Sequence, residues 1–261
     1  MRKAIVSIFI LVMGLTGTAV QAITYGQPDG NGHPNVGALI AEWREPGVKE
    51  SLCTGTLISP TVFLTAAHCT SFLESEGIED VWVSFDPDLS VPHTLIPGTM
   101  HTNPGFNQKQ SDPGDIAVVT FEDPVPGIAP ADLPPAGRFN RKPAELKGQR
   151  FTAVGYGATE PETGGGAPEF PDPMQRLFSV SRFEALNKAW LRLSQNPSTG
   201  DAGTCYGDSG GPNFLGAGAG ETDVIAGITI TGDAMCRSTN VIYRLDTKPA
   251  RDFLEDFVTL P

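Results

Sequence analysis

The sequence predicts an all-β protein built from two β units of similar size and a C-terminal helix. The chain has 261 residues with 30 glycines and 23 prolines, a composition typical of many short strands joined by turns. Short apolar runs occur on both sides of a proline-rich connector, residues 123–137, which cannot join a β ladder because proline lacks an N–H. Residues 250–258 repeat apolar side chains at helical spacing, which predicts the terminal helix.

The apolar runs themselves set the order of the predicted elements. Before the connector they are residues 36–42, 54–58, 62–65, 81–85 and 116–121. After the connector they are residues 149–155, 175–180, 224–231 and 240–245. Residues 160–173 interrupt the second set with many glycines and prolines, so they are predicted to form a surface loop.

The composition restricts the function classes. Apolar residues make up 39% of the chain, which is too many for an intrinsically disordered protein. The formal net charge is −12. An acidic chain repels phosphate backbones, so we do not expect nucleic acid as a partner.

Residues 1–22 have the pattern of a secretory signal peptide. Two basic residues follow the first methionine, residues 4–15 are mostly apolar, and small residues precede the bond after Ala22. The apolar run is shorter than the roughly 18 residues that a membrane span needs, although an uncleaved anchor is the alternative. We expect cleavage after Ala22, a mature chain that starts at Ile23 and has no membrane association, and a secreted location, extracellular or periplasmic where the host has an outer membrane.

The cysteine count is even, as in many exported proteins with disulfides. Four cysteines allow three connectivities. The sequence-local pairing joins Cys53 to Cys69 and Cys205 to Cys236, and each bond would contribute about 3 kcal/mol. A zinc site is the rival interpretation, but the chain has no CxxC or paired Cys/His spacing.

Three segments carry the residue types of nucleophilic catalysis. They read TAAHC at residues 65–69, GDIAVV at 114–119 and CYGDSGGP at 205–212. A serine hydroxyl is a weak nucleophile until a base removes its proton, and histidine is suited to that near neutral pH. A carboxylate must orient the imidazole, and glycines allow backbone N–H groups to face an oxyanion.

In this order the three motifs resemble those of the trypsin-like (chymotrypsin-fold) serine proteases, and the resemblance covers the chain from Ile23 to its end. It implies one peptidase domain, residues 23–261, with two six-stranded antiparallel β-barrels and the active site between them. The N-terminal barrel is expected at about 23–125, the C-terminal barrel at about 138–248 and the terminal helix at about 250–259.

The resemblance also implies the catalytic residues. His68 would act as general base and then acid, Asp115 would orient it, and Ser209 would be the nucleophile. The N–H groups of Gly207 and Ser209 would form the oxyanion hole. Such a mechanism requires no cofactor and no metal ion. The two sequence-local disulfides are those of the family.

In this family a free N-terminus forms an ion pair inside the protein, and the resemblance assigns that pair to Ile23 and Asp208. Signal cleavage alone would then produce the active enzyme. Tyr25 stands where the family usually has glycine, which departs from the pattern of the docking segment.

The resemblance places Gly203, followed by Thr204, at the base of the primary specificity pocket, with Gly232 and Val241 at its walls. None of them is charged, so we expect apolar P1 residues of medium or large size and poor cleavage after Lys or Arg. Ile230 stands where the family usually has a serine that hydrogen-bonds the triad carboxylate.

Two other functional interpretations remain open at this point. One is a catalytically silent homologue that acts as a binding module, and the other is an esterase with the same mechanism. A lipase-type G-x-S-x-G elbow is excluded because no histidine follows Ser209. We expect a protein or peptide substrate, a protein inhibitor as a further partner, and a monomer.

Three histidines lie outside the three motifs. His33 is expected to be solvated or part of a turn, and His93 and His101 to be structural. The acidic residues between 74 and 80 are interpreted as a solvated loop, with a calcium site as the alternative.

Overall fold

The structure, a computed structural model, describes residues 23–140, 143–162 and 164–261, so the expected signal peptide lies outside the described residues. The described chain folds into two closed barrels, each of six antiparallel strands, which confirms the predicted fold class. No helix in these three ranges is long and apolar enough to cross a membrane.

The first barrel is preceded by a two-residue strand, β1 (Gln27–Pro28), which pairs with the second barrel. The six strands of the first barrel close in the order β2-β3-β4-β7-β6-β5. Their bounds are β2 Val36–Ala41, β3 Glu50–Ser59, β4 Val62–Thr65, β5 Val81–Ser84, β6 Ile96–Thr102 and β7 Ala117–Thr120. A short helix, α1 (Ala67–Ser75), follows β4.

The second barrel follows the proline-rich connector and a one-turn helix, α2 (Pro143–Leu146). Its strands run in the order β9-β10-β13-β12-β11-β8, and pairing of β8 with β9 closes the circle. Their bounds are β8 Arg150–Gly155, β9 Leu177–Leu186, β10 Trp190–Ser194, β11 Pro212–Leu215, β12 Ile225–Gly232 and β13 Thr239–Arg244. The last helix is α3 (Lys248–Leu254).

Helix α3 packs across the two barrels. Thr247 caps it by accepting the N–H of Ala250, so the helix begins before the predicted residue 250, and it ends at Leu254. Ala250 and Leu254 are buried in the same apolar core as the first barrel. Beyond the helix, Phe257 packs against the ring of His101, which therefore has the structural role expected of it.

His33 is part of a turn, as one of the two expectations had it, because its carbonyl accepts the N–H of Val36 at 3.1 Å. Its side chain is only 17% exposed and belongs to a cluster of charges at the N-terminal segment. Its Nδ1 lies 2.5 Å from Asp29 and its Nε2 lies 2.6 Å from Glu221. Its ring stacks on Phe214 at 5.3 Å. The guanidinium of Arg176, fully buried, also donates to Asp29 at 2.8 Å. This His33 cluster fastens residues 29–33 to the second barrel.

The His33 cluster predicts how stability depends on pH. Burial alone lowers the pKa of His33, but the carboxylates of Asp29 and Glu221 more than offset it and raise that pKa from 6.5 to about 9. The difference corresponds to about 3 kcal/mol of stability, fully present below pH 6.5 and lost as pH rises through 9. We expect the melting temperature of the wild type to fall between pH 7 and 10, and that of His33→Gln to change much less; equal falls would contradict the prediction.

Candidate active site

The ends of two neighbouring strands bring His68 and Asp115 together. β4 pairs with β7, so the segment that leaves β4 meets the segment that enters β7. His68 lies in the first turn of α1, and its backbone N–H donates to one carboxylate oxygen of Asp115 at 2.9 Å. Its Nδ1 lies 2.9 Å from the other oxygen. Asp115 is buried, whereas the side chain of His68 remains 23% exposed, so the free Nε2 edge of the imidazole can reach a reacting group.

Ser209 lies in a tight turn between Cys205 and β11. The N–H of Asp208 donates to the carbonyl of Cys205, and the N–H of Gly211 donates to the carbonyl of Asp208. Ser209 itself accepts the N–H of Thr54 from the first barrel at 2.9 Å. Gly210 approaches that barrel so closely that a Cβ would lie 2.3 Å from the hydroxyl of Thr65. These contacts hold the Ser209 turn in place against the first barrel, which carries His68.

The two barrels form a cleft between them that contains the expected reacting groups. His68, Gly207 and Ser209 all line this cleft, which has a volume of about 590 Å³. Within the described residues, neither the N–H of Gly207 nor that of Ser209 has a protein acceptor. A larger cleft of about 1400 Å³ lies beside α3 and contains none of these three residues.

Both expected disulfides form. Cys53 is bonded to Cys69 and Cys205 to Cys236, with Cα–Cα distances of 6.4 and 5.2 Å. The first disulfide joins α1, at the residue after His68, to β3. The second joins the start of the turn that carries Ser209 to the segment between β12 and β13.

Comparison with known proteins identifies the family to which this fold and these motifs belong. A family model described as Trypsin matches residues 27–250. The chain belongs to the trypsin family. Glandular kallikrein-10 of Rattus norvegicus is 28% identical over 74% of this chain and 75% of its own length. Glucanase inhibitor protein 4 of Phytophthora infestans is 29% identical over 71% of each chain. A solved structure of HL collagenase, 18% identical, shares the fold with a TM-score of 0.68 over 90% of this chain and 97% of its own.

In this member of the trypsin family, Asp208 is a buried carboxyl beside the Ser209 turn. It accepts the N–H of Gly157 at 2.9 Å and the N–H of Cys205 at 2.8 Å. Burial, together with the negative charge of Asp172, raises the pKa of Asp208 to about 7 against the effect of these two N–H groups. Among the described residues, no Lys, Arg or His forms an ion pair with it.

The segment expected to dock beside Asp208 already lies inside the protein. Ile23 is fully buried against Leu177. The carbonyl of Thr24 accepts the N–H of Gly203, which leads into the Ser209 turn. Tyr25 adopts φ 58°, in the left-handed region that favours glycine, so its side chain is accommodated there at some cost in strain.

The four expected substrate-binding residues separate into two pairs. Gly232 and Val241 line a cleft of about 660 Å³ together with Asp115. Gly203 and Thr204 are buried instead.

Gln195, which sequence reasoning missed, lies against Gly203 and accepts the N–H of Thr204. A Cβ on Gly203 would lie 2.0 Å from Oε1 of Gln195, so Gln195 occupies the space in which a longer residue 203 would place its side chain, and the preference for medium or large apolar P1 residues stays a prediction. No motif marks Gln195, since only its position in the barrel gives it this role.

Ile230, which stands where the family usually has a serine, leaves Asp115 without a hydrogen bond from this position. Ile230 lines the same cleft as Asp115, but an isoleucine side chain cannot donate a hydrogen bond. Among the described residues, the hydrogen bonds that the carboxylate of Asp115 accepts come from His68. Asp115 therefore orients the imidazole of His68 without itself accepting a hydrogen bond from a neighbouring hydroxyl.

Proposed function

We propose that the protein is a secreted serine endopeptidase that hydrolyses peptide bonds through an acyl-enzyme intermediate. The observation that carries the proposal is the pairing of His68 with Asp115 at 2.9 Å at the edge of a cleft that also contains Ser209. Secretion is supported by the signal-like residues 1–22.

In the proposed reaction, Nε2 of His68 accepts the proton of the Ser209 hydroxyl as Oγ attacks the scissile carbonyl carbon. Asp115 stabilises the imidazolium that forms. The N–H groups of Gly207 and Ser209 donate to the oxyanion of the tetrahedral intermediate. His68 then protonates the leaving amine, and the C–N bond breaks. Water, deprotonated by His68, hydrolyses the ester and restores Ser209.

Activation would follow from removal of the residues before Ile23. A new α-ammonium at Ile23 would bring a positive charge to the segment that the Thr24–Gly203 hydrogen bond holds beside the Ser209 turn. The carboxyl of Asp208 is buried, so a positively charged partner would stabilise its ionised form. The ion pair would keep Gly207 and Ser209 in the conformation in which their N–H groups point into the cleft.

The primary specificity pocket is proposed to be neutral. Gly203 offers no charge, and the carboxamide of Gln195 beside it is uncharged. Asp233 lines the cleft beside Gly232, but its carboxylate already accepts the N–H groups of residues 237–239. A buried Lys or Arg side chain without a free carboxylate partner is costly, so we propose that basic P1 residues are poor substrates.

A second candidate is a binding module without peptidase activity. The relatives named glucanase inhibitor proteins favour it, because their names describe binding to another protein rather than proteolysis. Retention of His68, Asp115 and Ser209 favours the peptidase.

Reaction with a fluorophosphonate probe separates the two candidates. The probe modifies a serine only where a base and an oxyanion hole activate it. We expect the protein that begins at Ile23 to be labelled at Ser209, as located by mass spectrometry, and to cleave a mixed peptide library. Heat-unfolded protein is the control. Absence of both labelling and cleavage in protein with that N-terminus would favour the binding module.

A further inference from the structure

We propose that Tyr243 is a positioning residue of the active site, because its hydrogen bond to Asp112 holds the loop that ends at Asp115. The proposal rests on the proposed peptidase function, since its consequence is the orientation of the His68 imidazole by Asp115. It gives β13 of the second barrel a part in the active site that no sequence motif indicates.

Tyr243 connects the second barrel to the first. It lies on β13, and its ring is fully buried in the apolar core that residues of both barrels share. Its hydroxyl donates to Oδ1 of Asp112 at 2.9 Å. Asp112 belongs to the loop between β6 and β7 of the first barrel. The hydrogen bond therefore crosses from one barrel to the other next to the triad carboxylate.

Asp112 transmits this constraint to the backbone immediately before Asp115. The same oxygen that accepts the hydroxyl of Tyr243 also accepts the N–H of Gly114 at 3.2 Å. On the other side, the carbonyl of Gly114 accepts an N–H of the Asn103 side chain at 2.9 Å. Both polar groups of Gly114 are thus held, and the direction of the next side chain, the Asp115 carboxylate, depends on them.

The hydroxyl of Tyr243 is suited to a permanent donor role. Burial, together with the negative charges of Asp112 and Asp115, raises the pKa of Tyr243. An ionised phenol would repel both carboxylates, whereas the neutral hydroxyl donates to one of them. Because the charge of Asp115 acts on the phenol, the ring lies within electrostatic range of the triad as well as of Asp112.

The isoleucine at position 230 makes this indirect link important. A serine there would tie the second barrel directly to the Asp115 carboxylate, but Ile230 cannot donate. Within the part of the chain that the structure describes, that carboxylate accepts hydrogen bonds from His68 alone. The link through Tyr243 is therefore the hydrogen bond by which the second barrel can restrain the loop that carries Asp115.

The experiment measures kcat and KM of Tyr243→Phe, which keeps the ring and removes only the hydroxyl. On the peptide of the mixed library that the wild type cleaves fastest, kcat is expected to fall about 10-fold, as for loss of one hydrogen bond to a charged group. KM should stay nearly constant, because the cleft that binds the peptide is unchanged. Asp112→Ala breaks the link at its other end, and we expect a similar loss that does not add to the first in the double variant.

Two further variants separate positioning from a merely structural role. Adding Ile230→Ser to Tyr243→Phe is expected to restore most of the lost kcat, because the new hydroxyl would donate to Asp115 directly. Tyr156→Phe is the matched control, since Tyr156 is also buried and its hydroxyl donates to the carbonyl of Asp86 at 2.8 Å. We expect this control to lower the melting temperature and to leave kcat unchanged.

An unchanged kcat in folded Tyr243→Phe, or a loss that appears only in KM, would overturn the proposal. If Tyr243→Phe does not fold, an unchanged kcat in Asp112→Ala would overturn it instead. Failure of the proposed function gives a different result, because the wild type would then cleave no peptide and the fluorophosphonate probe would not label Ser209. The positioning role would fall with it.

Discussion

Replacing Ser209 with alanine is expected to lower kcat for peptide hydrolysis by about 10⁵- to 10⁶-fold while leaving the fold intact. This change removes only the hydroxyl group, whose oxygen, Oγ, would form the acyl bond. Members of a catalytic triad act as a unit, so loss of the nucleophile removes nearly all of the rate that the triad supplies. The N–H groups of the oxyanion hole would still bind substrate and give a small residual rate.

The measurement is kcat and KM on the peptide of the mixed library that the wild type cleaves fastest, with the protein beginning at Ile23. KM should change little, because Ser209→Ala keeps the cleft that binds the peptide. Ser71→Ala is a matched control, since Ser71 lies on α1 outside the proposed triad. Hydrolysis by Ser209→Ala at more than a hundredth of the wild-type rate would refute the assigned nucleophile.

Loss of the proposed ion pair is expected to have the next largest effect. Removing one partner of a buried ion pair costs about 3–5 kcal/mol, which corresponds to a loss of roughly 150- to 5,000-fold in the population of the active conformation. We therefore expect Asp208→Asn, and wild-type protein with a few residues retained before Ile23, to lose kcat/KM by this factor. The first change removes the carboxylate of the proposed ion pair, and the second removes its α-ammonium group.

Peptide hydrolysis and fluorophosphonate labelling should fall in parallel, because both require the N–H groups of Gly207 and Ser209 in place. Asp123→Asn, which changes an exposed aspartate in the connector between the barrels, serves as the control for loss of one negative charge. Full activity of the extended protein would show that Asp208 does not need the α-ammonium of Ile23.

The pH dependence of the extended protein offers an independent check. Without the α-ammonium, burial raises the pKa of Asp208 to about 7, so ionisation costs stability as pH rises from 4 through 7. Protein that begins at Ile23 should not show that loss, because the ion pair favours the charged carboxylate. Melting curves of the two forms at pH 5 and pH 7.5 would show this difference.

Several elements could be predicted from the sequence because their patterns are local. The apolar run at 62–65 matches β4 at both ends, and the run at 36–42 matches β2 to within one residue. The strands β10 and β11 were missed. The leucines of β10 are separated by Arg192 and so form no continuous apolar run, and β11 begins at Pro212, inside a segment dominated by glycine and serine. Pairing with β8 and β12, not local propensity, makes β11 a strand.

The sequence alone was enough to predict the chemistry that we propose for this chain. Three short motifs carry His68, Asp115 and Ser209, and each motif is a local pattern that survives without knowledge of the fold. The structure decided what surrounds them: the burial of Asp208, the charged contacts of His33 and the position of Gln195 against Gly203. These features join residues that are far apart in the chain or carry no motif. They depend on how the barrels close and pack, because only that packing decides which side chains lose contact with water and which space remains for a substrate.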